Sequence, residues 1–136
     1  MDLFKTMAIS ASGMKAQGVR LRVIAENLAN ANSTAETPGD LPYRRKVVSF
    51  KNELDRNLDV NTVRVARIDV DRKDFTRRYD PSHPSADTDG YVLLPNVSSI
   101  IESMDMREAQ RSYEANVSVI DSTRQMLTRT MEIIRT

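Results

Sequence analysis

Few residues of this chain have the type and spacing to do chemistry. His83 is the only histidine, set between Pro81 and Pro84 in "YDPSHPSADTDGYVLLP", and there is no cysteine. A clustered Cys/His metal site is therefore excluded, and no serine stands in a recognisable nucleophile arrangement with that one histidine. A single histidine in a proline-flanked loop reads as structural or solvated. Asp87, Asp89 and Gly90 resemble a fragment of a calcium loop, but such a loop needs an acid where Ser85 sits and a glutamate where Asn96 sits. Asp and Gly are also what a tight turn requires, and that reading is simpler. Asp69, Asp71 and Asp74 alternate with Arg67, Arg72 and Lys73, which reads as a solvated strand end rather than an acid/base pair. No glycine-rich phosphate loop is present.

Two basic clusters, Arg44-Arg45-Lys46 and Arg77-Arg78, have Tyr43 and Tyr79 beside them and could contact phosphates while stacking bases. Yet 20 basic residues against 19 acidic ones leave a net charge of +1. No broad field draws this chain to nucleic acid or an anionic membrane. The expectation is no catalysis, no metal and no cofactor.

The elements that must hold these residues are mostly helical. The first thirty or so residues contain no proline and repeat at seven: Met7, Met14, Leu21 and Leu28 form one series, Phe4, Ala11, Gly18 and Ala25 a parallel one. Two apolar positions per heptad make a coiled-coil seam, and the small second series would let another helix approach closely. The last stretch repeats the pattern with Met106, Tyr113, Ile120, Leu127 and Ile134, beside Ala109, Asn116, Thr123 and Thr130. Ser99 and Glu102 have capping-box spacing at its start, with Asn96 as a rival cap. Leu3, Ile9, Val23, Ile24, Ile100 and Ile101 need further cover, which implies partner helices.

Between the helices the texture changes. "YRRKVVSF" (43–50) and "TVRVARIDV" (62–70) read as strands, the second slipping phase near Ala66, and Tyr91–Leu94 as a short extended piece in a turn-rich loop. The fold class expected is mainly α with a small β insert. Long N- and C-terminal helices pair as a coiled-coil-like hairpin, with a β-hairpin or small sheet in the middle. The divisions are 1–32 for the first helix, 33–96 for the loop and β-rich insert, and 97–136 for the second helix. No apolar run approaches the roughly 20 residues of a membrane span, and "MDLFKTMAIS" lacks the basic-then-apolar start of a secretory signal.

One phrase is more distinctive than its chemistry. "ENLANANSTAETPGDLPYRR" closes the first helix with Asn27, Leu28, Ala29, Asn30, Ala31 and Asn32, turns at Pro38-Gly39, and restarts with Tyr43 and Arg44. It resembles the signature of the axial proteins of the bacterial flagellum, the rod, hook and hook–filament junction family. "YDPSHPSADTDGYVLLPNV" followed by "AQRSYEANVSVI" is similar to the short proximal-rod members. So is the spacer "STAET" between Asn32 and Pro38, which departs from the generic family pattern. The resemblance covers essentially the whole chain.

The resemblance implies a structural, non-enzymatic subunit of the basal-body rod, the periplasmic drive shaft of motility. It implies export through the flagellar type III system, then helical polymerisation. Its implied partners are further copies, other proximal and distal rod subunits, the hook–basal-body adaptor at the MS ring and export gate, and the export apparatus. Nucleic acid and direct membrane insertion are not implied. Under it, Ala11, Gly18 and Ala25 permit close helix approach. Met7, Met14, Leu21, Leu28, Met106, Tyr113, Ile120 and Leu127 supply packing, while Asn116, Asn27 and Asn30 set register. The pattern alone also admits a generic coiled-coil adaptor or scaffold.

Overall fold

The computed structural model describes residues 2–135. Two long helices enclose the β segments in chain order: α1 (Leu3–Ala29), β1 (Lys46–Asp55), β2 (Val60–Val70), β3 (Thr76–Tyr79), β4 (Tyr91–Leu94) and α2 (Ser99–Arg135). The helices pack together, and the strands form two separate two-stranded sheets, β1–β2 and β3–β4. The expected helix-rich fold class is the one found.

Local chemistry sets the ends of α1. Asp2 caps it, its Oδ1 accepting from the N–H groups of Phe4 (3.0 Å) and Lys5 (3.3 Å). At the other end Asn30 donates its side-chain amide to the Glu26 carbonyl (2.8 Å), and Ala31 N–H closes a tighter turn on Leu28 (3.2 Å). With 27 and 37 residues, α1 and α2 reach about 40 and 55 Å.

The chain divides into two compact units, each holding part of both helices. The first takes in Met1–Leu21, Val48–Arg67 and Arg107–Thr136. Here the helices meet along small and polar residues: Ser10, Ala16, Ala109 and Thr123 are all buried. They come closest at Gly13, where a Cβ would stand 3.0 Å from both amide atoms of Asn116. Gly18 has nothing within 4 Å, and Ala11 is exposed. The close approach inside the chain therefore falls at Gly13. Ala11 and Gly18 lie two positions off the row that faces α2, which at 100° per residue turns them to the far side. Asn116 donates to the Ser112 carbonyl of its own helix (2.8 Å) and Thr123 to that of Val119 (2.7 Å). Ser12 ties β2 to α1 by accepting from Val63 N–H (3.2 Å). The β1–β2 turn rests on Asp55, which accepts from Asn57 N–H (2.9 Å), and on Asp59 with φ +51°. Along β2 the alternation of cover ends at Val65, and Ala66 to Val70 are all exposed.

The second unit takes in Arg22–Val47 and Ile68–Met106. Val23, Ile24, Ala31 and Val92 form its small apolar core. Val23 and Ile24, expected to need cover from elsewhere, are thus covered within the chain. β3 and β4 run antiparallel with Thr76 opposite Leu94 and Tyr79 opposite Tyr91. Nothing in Thr-Arg-Arg-Tyr alternates, so β3 is not among the strands the pattern predicts. Pairing with β4 makes it a strand. The connecting loop closes on Asp87, whose Oδ1 accepts from Asp89 N–H (3.0 Å) and Tyr91 N–H (2.8 Å). Gly90 (φ +82°) is required there. A Cβ would meet Tyr79 at 3.0 Å and Pro81 at 3.1 Å.

Candidate functional site

The largest concentration of directed polar contacts lies where α1 ends, the chain enters β1 and α2 begins. Asn27 sits on the buried face of α1 and uses its whole hydrogen-bonding capacity. Its Oδ1 accepts from Tyr43 OH (2.8 Å) and Lys46 N–H (2.9 Å), and its Nδ2 donates to the Lys46 carbonyl (2.9 Å) and Glu102 Oε2 (3.0 Å). Glu102, on the first turn of α2, is fully buried. Its other oxygen accepts from Arg45 Nε. Arg45 also reaches Asp71 (3.5 Å) and Asp105 (3.4 Å). One guanidinium therefore joins the entry to β1, the end of β2 and the first turns of α2.

A second layer fixes the backbone around this pair. Asn96 Oδ1 accepts from Arg45 N–H (2.7 Å), and its Nδ2 donates to the carbonyls of Asp71 (2.9 Å) and Lys73 (3.1 Å). Arg44 donates to the same two carbonyls, each at 3.1 Å, and its guanidinium lies 4.2 Å over the Phe75 ring. Asp71 N–H returns a bond to the Arg45 carbonyl (2.8 Å). Glu102 and Asn96 are thus not the helix caps their positions suggest, because partners far along the chain outbid the local ones. Asp71 is likewise a paired, half-buried group rather than a solvated strand end.

The electrostatics follow from this geometry. Burial works against the Arg45 charge, but the Glu102 hydrogen bond and the fields of Glu102, Asp71 and Asp105 outweigh it, and its pKa is raised. Burial raises the Tyr43 phenol as well, with Lys46 opposing and Glu26 and Glu102 adding. Exposed Asp87 is lowered, chiefly by the Tyr91 N–H bond, with burial opposing and Asp89 N–H and Arg77 assisting.

The residues singled out in the sequence fall into three groups. Asn27, Tyr43 and Arg44 meet in the network just described. Asn30 secures the end of α1, and Pro38-Gly39 form the centre of a type II turn with Gly39 at φ +93° and Asp40 N–H bonded to the Thr37 carbonyl (3.3 Å). Asn32 is exposed at the turn that follows α1. Met7, Met14, Leu21 and Leu28 on α1 are half-buried, as are Met106, Tyr113, Asn116, Ile120 and Leu127 on α2, while Ala11 and Ala25 are exposed. Arg45, Lys46, Asp71, Asn96 and Glu102 also join the network, although the sequence pointed to them as a basic cluster, a solvated strand end and helix caps. Nothing local in the sequence told that they meet, since Asn96 and Glu102 lie 51 and 57 residues from Arg45.

The arrangement clamps chain segments together. His83 is part of a similar staple: its Nδ1 accepts from Ser85 N–H (3.1 Å), so the neutral ring carries its proton on Nε2, 3.3 Å from Thr34 Oγ1. The basic side chains Arg77 and Arg78 pair with Asp87 and Asp80, and Arg77 lies 4.5 Å over the Tyr91 ring. Among the described residues no group of three or more His, Asp or Glu is placed to hold a metal ion. No helix among the described residues is long and apolar enough to cross a membrane.

Known proteins are similar to this chain in sequence. Residues 7–35 match the family described as "Flagella basal body rod protein", and residues 88–133 match "Flagellar basal body rod FlgEFG protein C-terminal". The flagellar basal-body rod protein FlgC of Agrobacterium fabrum is 50% identical over 127 residues, covering 93% of this chain and 91% of its own. FlgC of Bacillus subtilis is 37% identical over 148 residues, covering 98% of this chain and 99% of its own. FlgC of Salmonella typhimurium is 35% identical, covering 98% of each chain. The chain belongs to the FlgC family of flagellar basal-body rod proteins. Within this FlgC-family chain, Asn27 falls in one matched segment and Glu102 in the other. Arg45 and Asp71, which tie them together, lie between the two.

Proposed function

We propose that this protein is a structural subunit of the flagellar basal-body rod, polymerising into the periplasmic shaft that carries torque for motility. The observation that carries the reading is its likeness, nearly end to end, to FlgC proteins from distant bacteria. The clamp-like, chemically quiet character of the junction supports a structural role without catalysis. So does the apolar surface left open on both helices: Phe4, Ile100, Met104, Met131 and Ile134 are exposed, Ile134 by 80%. Such surface is costly in a lone protein and suits a lattice.

In this reading residues 1–32 and 97–136 form the packed helical wall, and residues 33–96 the insert that projects from it and sets lateral contacts. Ala11, Gly18 and Ala25 face outward from the helix pair and serve close approach by neighbouring helices. Met7, Met14, Leu21, Leu28, Met106, Tyr113, Ile120 and Leu127 supply packing around them. The partners are further copies, the other proximal and distal rod subunits and the adaptor beneath them, reached after export through the type III apparatus. Deleting the gene and imaging basal bodies tests this. The reading requires that rods be missing and that the gene restore them; intact rods and motility in the deletion strain would refute it.

A further inference from the structure

Two features of the first unit lie open to solvent. The first is a stripe on α2. Val119, Met126 and Ile133 recur at seven and are all exposed, Ile133 by 75%. Relative to the row that Asn116 and Thr123 turn toward α1, the stripe sits about 40–100° round the helix. The chain's own α1 cannot cover it. Arg129 lies between Met126 and Ile133 on the same side, and among the described residues it makes no ion pair.

The second feature is a cleft of about 580 Å³ between α1 and the β1–β2 hairpin. Ala16 and Val19 form one wall, and Leu54, Val63 and Val65 the other. The α1 wall runs from Ser12 to Val19, seven residues or about 10.5 Å of helix. Met126 and Ile133 are also seven residues apart, so the two anchors match the cleft in length. Asp55 lines the hairpin wall, and among the described residues it makes no ion pair. It offers Arg129 an opposite charge. A cleft between a helix and a sheet that takes an amphipathic helix by its heptad-spaced side chains is a common recognition geometry.

We infer that this cleft receives the α2 stripe of a second copy of the chain, Met126 and Ile133 on its floor and Arg129 against Asp55. Stripe and cleft are different patches of one chain, so the contact is head-to-tail and either closes into a ring or runs on as an open helix, according to the rotation between copies. The inference rests on the rod reading and names one of its subunit contacts.

The chain has no cysteine, which makes cross-linking clean. Genes for Lys15→Cys and Met126→Cys are expressed together in cells lacking the unaltered gene, and purified basal bodies are oxidised mildly. The expected result is a reducible species of twice the chain's mass that requires both variants. Ile133→Cys replaces Met126→Cys should the latter block assembly. Met126→Cys pairing with itself, a cross-link to a protein of another mass, or no cross-link in rods that contain the chain each overturns the contact. Absence of the chain from rods of motile cells defeats the rod reading itself, a separate outcome.

Discussion

Replacing Glu102 by Ala probes the junction most sharply. The change deletes the carboxylate that accepts from Asn27 Nδ2 and Arg45 Nε, and leaves both donors facing a buried void. Removing one partner of a buried ion pair costs about 3–5 kcal/mol. Arg45 keeps Asp71 and Asp105 at 3.5 and 3.4 Å and is 21% exposed, so water and its remaining partners hold the loss near the lower end, about 3 kcal/mol. That is roughly two orders of magnitude in the folded-to-unfolded ratio. With a urea slope of about 1.5 kcal/mol/M, the unfolding midpoint falls by about 2 M. Glu102→Gln keeps an acceptor for Asn27 and should lose about half as much. The assay is urea unfolding of the purified chain followed by far-UV circular dichroism and tyrosine fluorescence. A cycle with Asn27→Ala should show coupling of about 1–2 kcal/mol. A midpoint shift for Glu102→Ala below about 0.5 M, or strict additivity of the pair, would refute the clamp.

Other substitutions read out separate parts of the structure. Gly90→Ala meets a positive φ and contacts near 3.0 Å, so it should cost about 1–3 kcal/mol and speed amide exchange in β3 and β4. Gly39→Ala, strained but in open space, should cost only about 1 kcal/mol in the same urea assay. Gly13→Ala pushes on the Asn116 amide and should destabilise the monomer by about 1 kcal/mol. Gly18→Ala meets nothing and should stabilise the monomer by up to about 1 kcal/mol. In cells, Gly18→Leu should arrest rod growth, and normal motility would remove Gly18 from the lattice contacts. Because the folded pKa of Asp87 is lowered, its contribution is present above the unfolded value and lost as pH falls through the folded one. A carboxyl titration by NMR should find its midpoint below the ordinary aspartate value. The raised phenol of Tyr43 has the opposite sense, with stability present below the unfolded pKa near 10 and lost as pH rises through the folded one. Tyr43→Phe should flatten that alkaline limb.

What could be read in advance follows from the range of the interactions. Helix periodicity accumulates over many turns, so both helices were legible, and Pro38-Gly39 announced a turn whose geometry allows little else there. The phase of the helix contact was not legible. The α1 row that meets α2 contains Ser10, Gly13 and Asn27, which no search for apolar residues selects, while the apolar series beside it is only half-buried. Glu102 stood at a position that reads as a cap, and its true partners Arg45 and Asn27 lie 57 and 75 residues away. Asn27, Tyr43 and Arg44 were noticed through a family likeness rather than through chemistry, since nothing local told that they meet. β3 became a strand only through β4.

The central claim is that this chain is a building unit of the rod. A side-chain-resolved electron cryo-microscopy map of purified basal bodies tests it directly. The account predicts density for α1 and α2 within the axial rod wall, with the Asn27–Glu102–Arg45 junction intact in every copy. Rods whose density is fully accounted for by other chains, with this one absent or outside the axis, would contradict it.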